Sequence, residues 1–320
     1  MSPNPLSRAW SHMRALWPRW TLLPPLPFVL WACVQTARGS LRLEHVAMAL
    51  AALLLSYGNA RSKRLLVGIY PVGLVGVIYD VMAVLKHSFH LGSHDVHICD
   101  LRAAELHWFP VSMGGVAVTP SDFFQAHTAS WLDVLCSVPY ALFIYAVLIF
   151  GTYLYFKSYD ALRALGWAFL LTNIAGFITY QVYPAAPPWY YHAHGCALDF
   201  TVPTSEGPAL ARVDALLGVR YFGAMYGRAA TVFGAVPSLH VAYPMMMAFA
   251  GWRAHGKVGR ALLVAWYLWM CFAAVYLDHH WIIDIVIGSL YALIGSIVVR
   301  LVVTRSERRE ASSDAPELGR

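Results

Sequence analysis

From Trp131 to Phe156 the only charged residue is Asp133. A helix of that length spans the ~30 Å hydrocarbon core of a bilayer. In lipid, only a helix or a closed barrel satisfies its own backbone, and this stretch does not alternate as a barrel strand would. The feature recurs. Apolar segments lie at 21–37, 43–59, 65–85, 131–156, 161–183, 238–253, 260–278 and 281–303. The first holds Pro24, Pro25 and Pro27 and the second is short, so these two are the least regular. Charged residues make up 12% of the chain, against about a quarter in a soluble domain. The expectation is an all-α polytopic bundle of about eight spans, six at the fewest, embedded in a membrane. Water-soluble classes are excluded, and no soluble domain is left over. No cleaved signal peptide is expected, because the first apolar stretch is Pro-rich and lacks a small-residue cleavage site.

The net charge of +6 does not call for nucleic acid. Lys and Arg concentrate in cytoplasmic loops. Placing both termini in the cytoplasm puts most of the 23 Lys and Arg on that side. The long connections 86–130 and 184–237 then face outward. The expected division is N-terminal helices at 1–85, an outer loop at 86–130, a membrane core at 131–303 and a disordered cytoplasmic tail at 304–320. The Ala-, Arg- and Trp-rich composition inclines toward a bacterial inner membrane.

Three apolar segments carry a carboxylate: Asp80, Asp133 and Asp284. A buried charge is costly in lipid and marks a functional candidate. An interfacial or capping role is the alternative for Asp80 and Asp133. Asp284 differs, because His280 precedes it by four residues and the two share a helix face. Asp284 can then fix the tautomer of His280, as the Asp of a Ser-His-Asp triad does for its His. His280 is left to act as nucleophile or base. "FGAVPSLHVAYP" opens another apolar segment with Pro237, Ser238 and His240. Free amides at a helix N-terminus beside a Ser hydroxyl form an anion site. One antiparallel hairpin returns His280 to the membrane face that holds His240.

Pro-Ser-x-His followed by His-x3-Asp resembles the type 2 phosphatidic acid phosphatase superfamily, over roughly 131–303. The resemblance implies a helical membrane core and a cofactor-free, metal-independent phosphohistidine mechanism. It makes His280 the nucleophile, Asp284 its orienter, and His240 the general acid and later base. The departures narrow the reading. The phosphatases' Lys-x6-Arg-Pro is replaced by "YPAAPPWY", Tyr183 to Tyr190, and their Ser-Arg pair by Ala273 and Ala274. The anion clamp of a phosphomonoesterase is therefore absent, which favours a singly charged lipid phosphodiester.

"YPAAPPWY", "FGAVPSLH" and "HHWIID" together resemble the inositol phosphorylceramide synthases, and "HWIIDIVIG" is similar to the sphingomyelin synthases. Asp278 stands where the fungal enzymes have Arg. The resemblance implies transfer of a phospho-head group, phosphoinositol first, from a glycerophospholipid donor to a ceramide-type acceptor. Water as acceptor would make a lipid phosphatase or phosphodiesterase instead. A transporter or metal-binding protein, with the histidines as ligands, is a third reading.

Expected substrate contacts are Ser238, Tyr183, Trp189, Tyr190, Arg220, Arg228, Asp80 and Asp133. For Arg220 and Arg228 a solvated or interfacial place is the alternative, and for the aromatic residues an ordinary interfacial belt. Cys99 and Cys196 lie in the two outer connections and pair if that side is oxidising. Cys33, Cys136 and Cys271 read as packing residues. His87, His90, His94, His97 and Cys99 form a His-rich loop whose spacing matches no standard zinc site, and no metal is expected. The apolar residues of 207–219 recur at helical spacing, either as an interfacial gate or as a helix resting on the bundle. The sequence leaves the oligomeric state open.

Overall fold

The computed structural model describes residues 4–89 and 96–313. In chain order the elements are α1 (Pro5–Leu16), α2 (Leu26–Ala37), α3 (Leu43–Tyr57), α4 (Ala60–Phe89), α5 (Cys99–Trp108), the strands β1 (Val111–Met113) and β2 (Val116–Val118), α6 (Pro120–Ala126), α7 (Ser130–Lys157), α8 (Tyr159–Val182), α9 (Pro188–His194), α10 (Pro208–Leu217), α11 (Tyr221–Tyr226), α12 (Leu239–Gly251), α13 (Lys257–Tyr276) and α14 (Ile282–Ser313). A helix stands in each of the eight apolar segments. Five are long and apolar enough to cross a membrane: Ala60–Leu85 within α4, α7, α8, α13 and Ile282–Val302 within α14. The helices α2 and α3 are shorter apolar helices.

The short helix α12 is the centre of the bundle. It has 13 residues, so it rises about 20 Å. Nearly every side is buried, including Val241, Ala242, Tyr243, Met246 and Met247. A helix apolar all round belongs in a core, and α7, α8, α13 and α14 surround it. Its N-terminus meets α14 inside that helix rather than at its tip: the Ser238 amide donates to the Asp284 carbonyl at 3.0 Å. Gly288 makes this approach possible, since a side chain there would collide with the Ser238 carbonyl oxygen. Ser238 and His240 are thereby sunk below the end of α14.

The two long connections are stitched together by backbone. Ala186 donates to the carbonyl of His97 at 2.8 Å, Ala185 to that of Phe233 at 3.0 Å, and Ala235 to that of Ala185 at 3.1 Å. This joins the first connection, the Ala-Pro-Pro run and the segment before α12 in parallel. Cys99 and Cys196 are bonded, with Cα atoms 5.6 Å apart. A two-stranded antiparallel hairpin pairs Val111 with Val118.

One expectation changes, and one open alternative is narrowed. The helix α14 continues to Ser313 rather than giving way to a disordered tail at 304, because "SERREASS" is rich in helix formers; residues 314–320 lie outside the described residues. The helix α10 rests on the bundle: Ala209, Leu210 and Val213 are buried in one cluster with Tyr140 and Val241.

Candidate active site

The loop between α13 and α14 is closed tightly. The amides of His279 and His280 both donate to the carbonyl of Ala274 at 3.1 Å, and Ala273 and Ala274 are fully buried. The small residues that replace the phosphatases' Ser-Arg pair let the loop fold down onto the end of α13. Asp278 takes a left-handed conformation, φ 64°. That turn carries His280 inward, with 4% of its surface exposed.

His280 sits between three groups. Its Nδ1 lies 3.1 Å from the Ala235 carbonyl and 3.4 Å from Asp284 Oδ2. Its Nε2 lies 3.2 Å from His240 Nδ1. A carbonyl oxygen only accepts, so Nδ1 carries the hydrogen and Nε2 of neutral His280 is a bare lone pair aimed at His240. Asp284 is fully buried. Its Oδ2 accepts the Trp281 amide at 2.9 Å, and Oδ1 has no partner among the described residues.

His240 is the second residue of α12, and its amide lies in the first turn, where helical partners are missing. The ring stacks on Tyr140, centroids 4.7 Å apart, and touches Phe143. Its Nε2 lies 3.2 Å from the Tyr226 hydroxyl. Tyr140 is fully buried, and its hydroxyl has no partner among the described residues. The neighbouring His279 is committed elsewhere: Nδ1 bonds the Leu277 carbonyl at 2.8 Å. Burial, with His280 beside it, pushes its imidazole down to about 4.

Among the described residues, none of the other expected contacts is hydrogen-bonded to the ring of His240 or His280. Ser238 is fully buried, and its hydroxyl accepts the Val241 amide at 3.4 Å as the cap of α12. Trp189 and Tyr190 are core residues, 4% and 0% exposed. The Tyr190 hydroxyl bonds the Ala197 carbonyl at 2.9 Å and the Asp199 amide at 2.7 Å. The run braces the His280 loop: Trp281 Nε1 donates to the Ala186 carbonyl at 3.0 Å, and the Trp189 amide donates to the Asp278 carbonyl at 3.0 Å. Tyr183 stacks on His97 at 3.7 Å. Arg228 is exposed and pairs with Glu44 at 3.3 Å; Arg220 is exposed beside α11. Asp80 is held by Arg42, His45 and Trp31. Asp133 is held by Arg212 and Tyr276, each at 3.1 Å. Both carboxylates are satisfied within the protein.

Of the His-rich loop, His90 and His94 lie outside the described residues, as does the side chain of His87. His97 pairs with Asp100 and Cys99 is in the disulfide. Among the described residues no three metal-ligating groups converge.

Residues that local sequence did not flag complete the surroundings. Glu105, 1% exposed, accepts the Ile282 amide at 2.9 Å and the Ile283 amide at 3.3 Å, capping α14. Burial pushes its carboxyl up to about 7, Asp284 adding to the push. Asp278 is clamped by Ser121 and by His192 Nδ1 at 2.7 Å, whose Nε2 reaches Asp122 at 2.8 Å. Burial alone would lower the His192 imidazole, but its bonds to Asp122 and Asp278 hold it at about 9.

The sequence profile of the PAP2 superfamily matches residues 105–298. The chain belongs to the PAP2 superfamily. It sits in the inositol phosphorylceramide synthase-like branch, and it is a multi-pass membrane enzyme, a phosphotransferase. A phosphoinositol dihydroceramide synthase of Bacteroides thetaiotaomicron is 33% identical over 86% of this chain and 90% of its own. The inositol phosphorylceramide synthase catalytic subunit of Saccharomyces cerevisiae is 33% identical over 54% of this chain and 44% of its own. The inositol phosphorylceramide synthase of Candida albicans is 32% identical over 54% and 37%. The chain thus spans less than half the length of these two fungal relatives. No solved structure matches.

Proposed function

We propose that the protein moves a phosphoinositol group from a glycerophospholipid to the hydroxyl of a ceramide-type lipid, through a phosphohistidine on His280. The observation that carries this reading is the nitrogen-to-nitrogen contact of His240 and His280, with the far nitrogen of His280 held by Ala235 and Asp284. The names of the relatives support the substrates.

The chemistry has two halves. His280 Nε2 attacks phosphorus, the bond to the diacylglycerol oxygen breaks, and His240 gives that oxygen a proton. The phosphorylated imidazole carries positive charge, and the Asp284 carboxylate offsets it. His240, now neutral, takes the proton of the acceptor hydroxyl as that oxygen displaces His280. The nitrogens stand 3.2 Å apart, so the donor phosphate must part them. The His240 amide, in the first turn of α12, is an anion donor beside the pair. A singly charged diester suits a site where, among the described residues, no Lys or Arg bonds either histidine. Both termini are placed in the cytoplasm and the histidines on the outer side, in a bacterial inner membrane.

Purified protein in mixed micelles, given ceramide and phosphatidylinositol and read by mass spectrometry, tests the reading. Inositol phosphorylceramide is expected from the wild type and none from His280→Ala. Phosphoinositol released without a ceramide product would make the protein a hydrolase.

A further inference from the structure

The two-step chemistry makes opposite demands on His240. In the first half its Nδ1, the nitrogen facing His280, must hold a proton to give. In the second the same nitrogen must be bare. Neutral imidazole has two tautomers, and only the one protonated on Nε2 leaves Nδ1 free. Something on the Nε2 side must favour that tautomer. The ring neighbours are Tyr140, stacked on the imidazole, and Phe143, tilted against it, and an aromatic ring is a poor acceptor. The hydroxyl of Tyr226, 3.2 Å from Nε2, is the one polar group bonded there among the described residues.

We propose that Tyr226 is a positioning residue that decides which nitrogen of His240 carries the proton, so that one histidine serves both half-reactions. A hydroxyl both donates and accepts. In the acid form the Tyr226 oxygen accepts from Nε2–H while Nδ1–H faces the leaving oxygen. The P–O bond to diacylglycerol breaks, the N–P bond to His280 forms, and the Nδ1 proton leaves with diacylglycerol. In the base form Nε2–H still donates to Tyr226, and Nδ1 collects the proton of the acceptor hydroxyl. The new P–O bond then forms, the N–P bond breaks, and His280 Nε2 regains its lone pair. No proton is gained or lost over the cycle.

Tyr226 ends α11, in the outer connection before α12. An Asp214 carboxylate holds the start of α11 through the amides of Phe222, at 3.1 Å, and Gly223, at 2.8 Å. The helix that delivers the phenol is therefore fixed by α10. Other titratable groups facing His240 are Tyr140 from α7, His279 and His280 from the loop, and Asp284 of α14 behind His280. On α4, Tyr79 lies near Tyr226 and bonds the Ala230 amide at 2.9 Å. None of these is bonded to Nε2.

This inference rests on the proposed phosphohistidine reading, and the test separates the two. Tyr226→Phe keeps the ring and removes the hydroxyl. Transfer is measured with micellar phosphatidylinositol and ceramide from pH 5 to 9, beside His240→Ala and melting temperatures in the same detergent. The expected result is kcat lowered about 10- to 100-fold, part of the roughly 10²- to 10⁴-fold that general acid–base catalysis contributes. KM and melting temperature stay near wild type, and the pH optimum moves to lower pH, because the protonated His240 has lost its acceptor. A wild-type rate and optimum in Tyr226→Phe overturn the proposal. So does an equal loss at every pH with a lowered melting temperature, which would mark a packing role. Full activity in His240→Ala would remove the underlying reading instead, and this inference with it.

Discussion

Two His–Asp pairs lie near the ends of apolar helices in this protein, and they differ in what is left unsatisfied. His45 on α3 is 1% exposed. Its Nδ1 accepts the Arg42 amide at 3.1 Å, and Nε2 reaches Asp80 at 2.5 Å. Asp80 also takes both arms of one contact from Arg42, at 2.6 and 2.8 Å, and Trp31 Nε1 at 3.1 Å. Every polar atom of that pair is occupied, and its charges cancel within the N-terminal helices. The pair of His280 and Asp284 has capacity to spare. Among the described residues, His280 Nε2 bonds only another imidazole, Asp284 keeps one oxygen without a partner, and no Lys or Arg bonds either member. A saturated pair fastens helices together. An unsaturated pair, held in place by backbone, can accept a phosphate.

The largest effect that could break this contrast is on activity. His280→Ala is expected to lower transfer by at least about 10³-fold, while Asp80→Asn keeps kcat within about threefold, since it touches no reacting atom. Equal losses in the two, at unchanged folding, would erase the distinction. Next comes Asp284→Asn, which keeps an acceptor for the Trp281 amide but removes the charge behind the ring that the proposed mechanism phosphorylates. A fall of roughly 10²-fold in kcat, the low end of a general acid–base contribution, is expected in steady-state assays.

Asp80→Ala leaves Arg42 and His45 without their carboxylate. Denaturation in detergent is expected to show a loss of about 2 kcal/mol, discounted for partial exposure, with activity per folded molecule unchanged. A third His-carboxylate assembly sharpens the comparison through pH. His192 is charged between Asp122 and Asp278 and titrates at about 9, above its ordinary 6.5. Its contribution is therefore complete below pH 6.5 and is lost as pH rises through 9. A His192→Gln protein should lack that alkaline decline in melting temperature.

The smallest expected effect concerns Glu105. Its carboxyl is pushed up to about 7 from 4.5, so the folded state holds a proton that the unfolded state has released. Stability declines as pH rises from 4.5 through 7. In Glu105→Gln that slope should flatten, a difference of about 1–2 kcal/mol near pH 8, read by thermal melts.

The apolar helices were legible because a bilayer sets their length and excludes charge. His240, His280 and Asp284 were legible because a hairpin return brings the two histidine segments to one face; the spacing of four found Asp284, although His280 lies in the loop before α14 and not on a shared helix face. Their supports were not. Glu105 lies 177 residues from the amide it caps, and a lone carboxylate in a loop carries no local signal. The Ala235 carbonyl that fixes His280 is backbone, which any residue supplies. Tyr226 is one tyrosine among 18. Trp189 and Tyr190 were read as substrate lining because an aromatic residue in an outer loop looks the same whether it meets lipid or a core. Asp80 and Asp133 looked functional because their cations, Arg42 and Arg212, are 38 and 79 residues away.

The most direct test of the account is to trap the covalent intermediate. The protein is mixed with phosphatidylinositol in the absence of any acceptor lipid, quenched in alkali, digested and read by mass spectrometry. The account predicts an acid-labile phosphoinositol adduct on the peptide that carries His280, absent from His280→Ala and discharged when ceramide is added before the quench. An active protein that accumulates no adduct, or carries it on another residue, would contradict it.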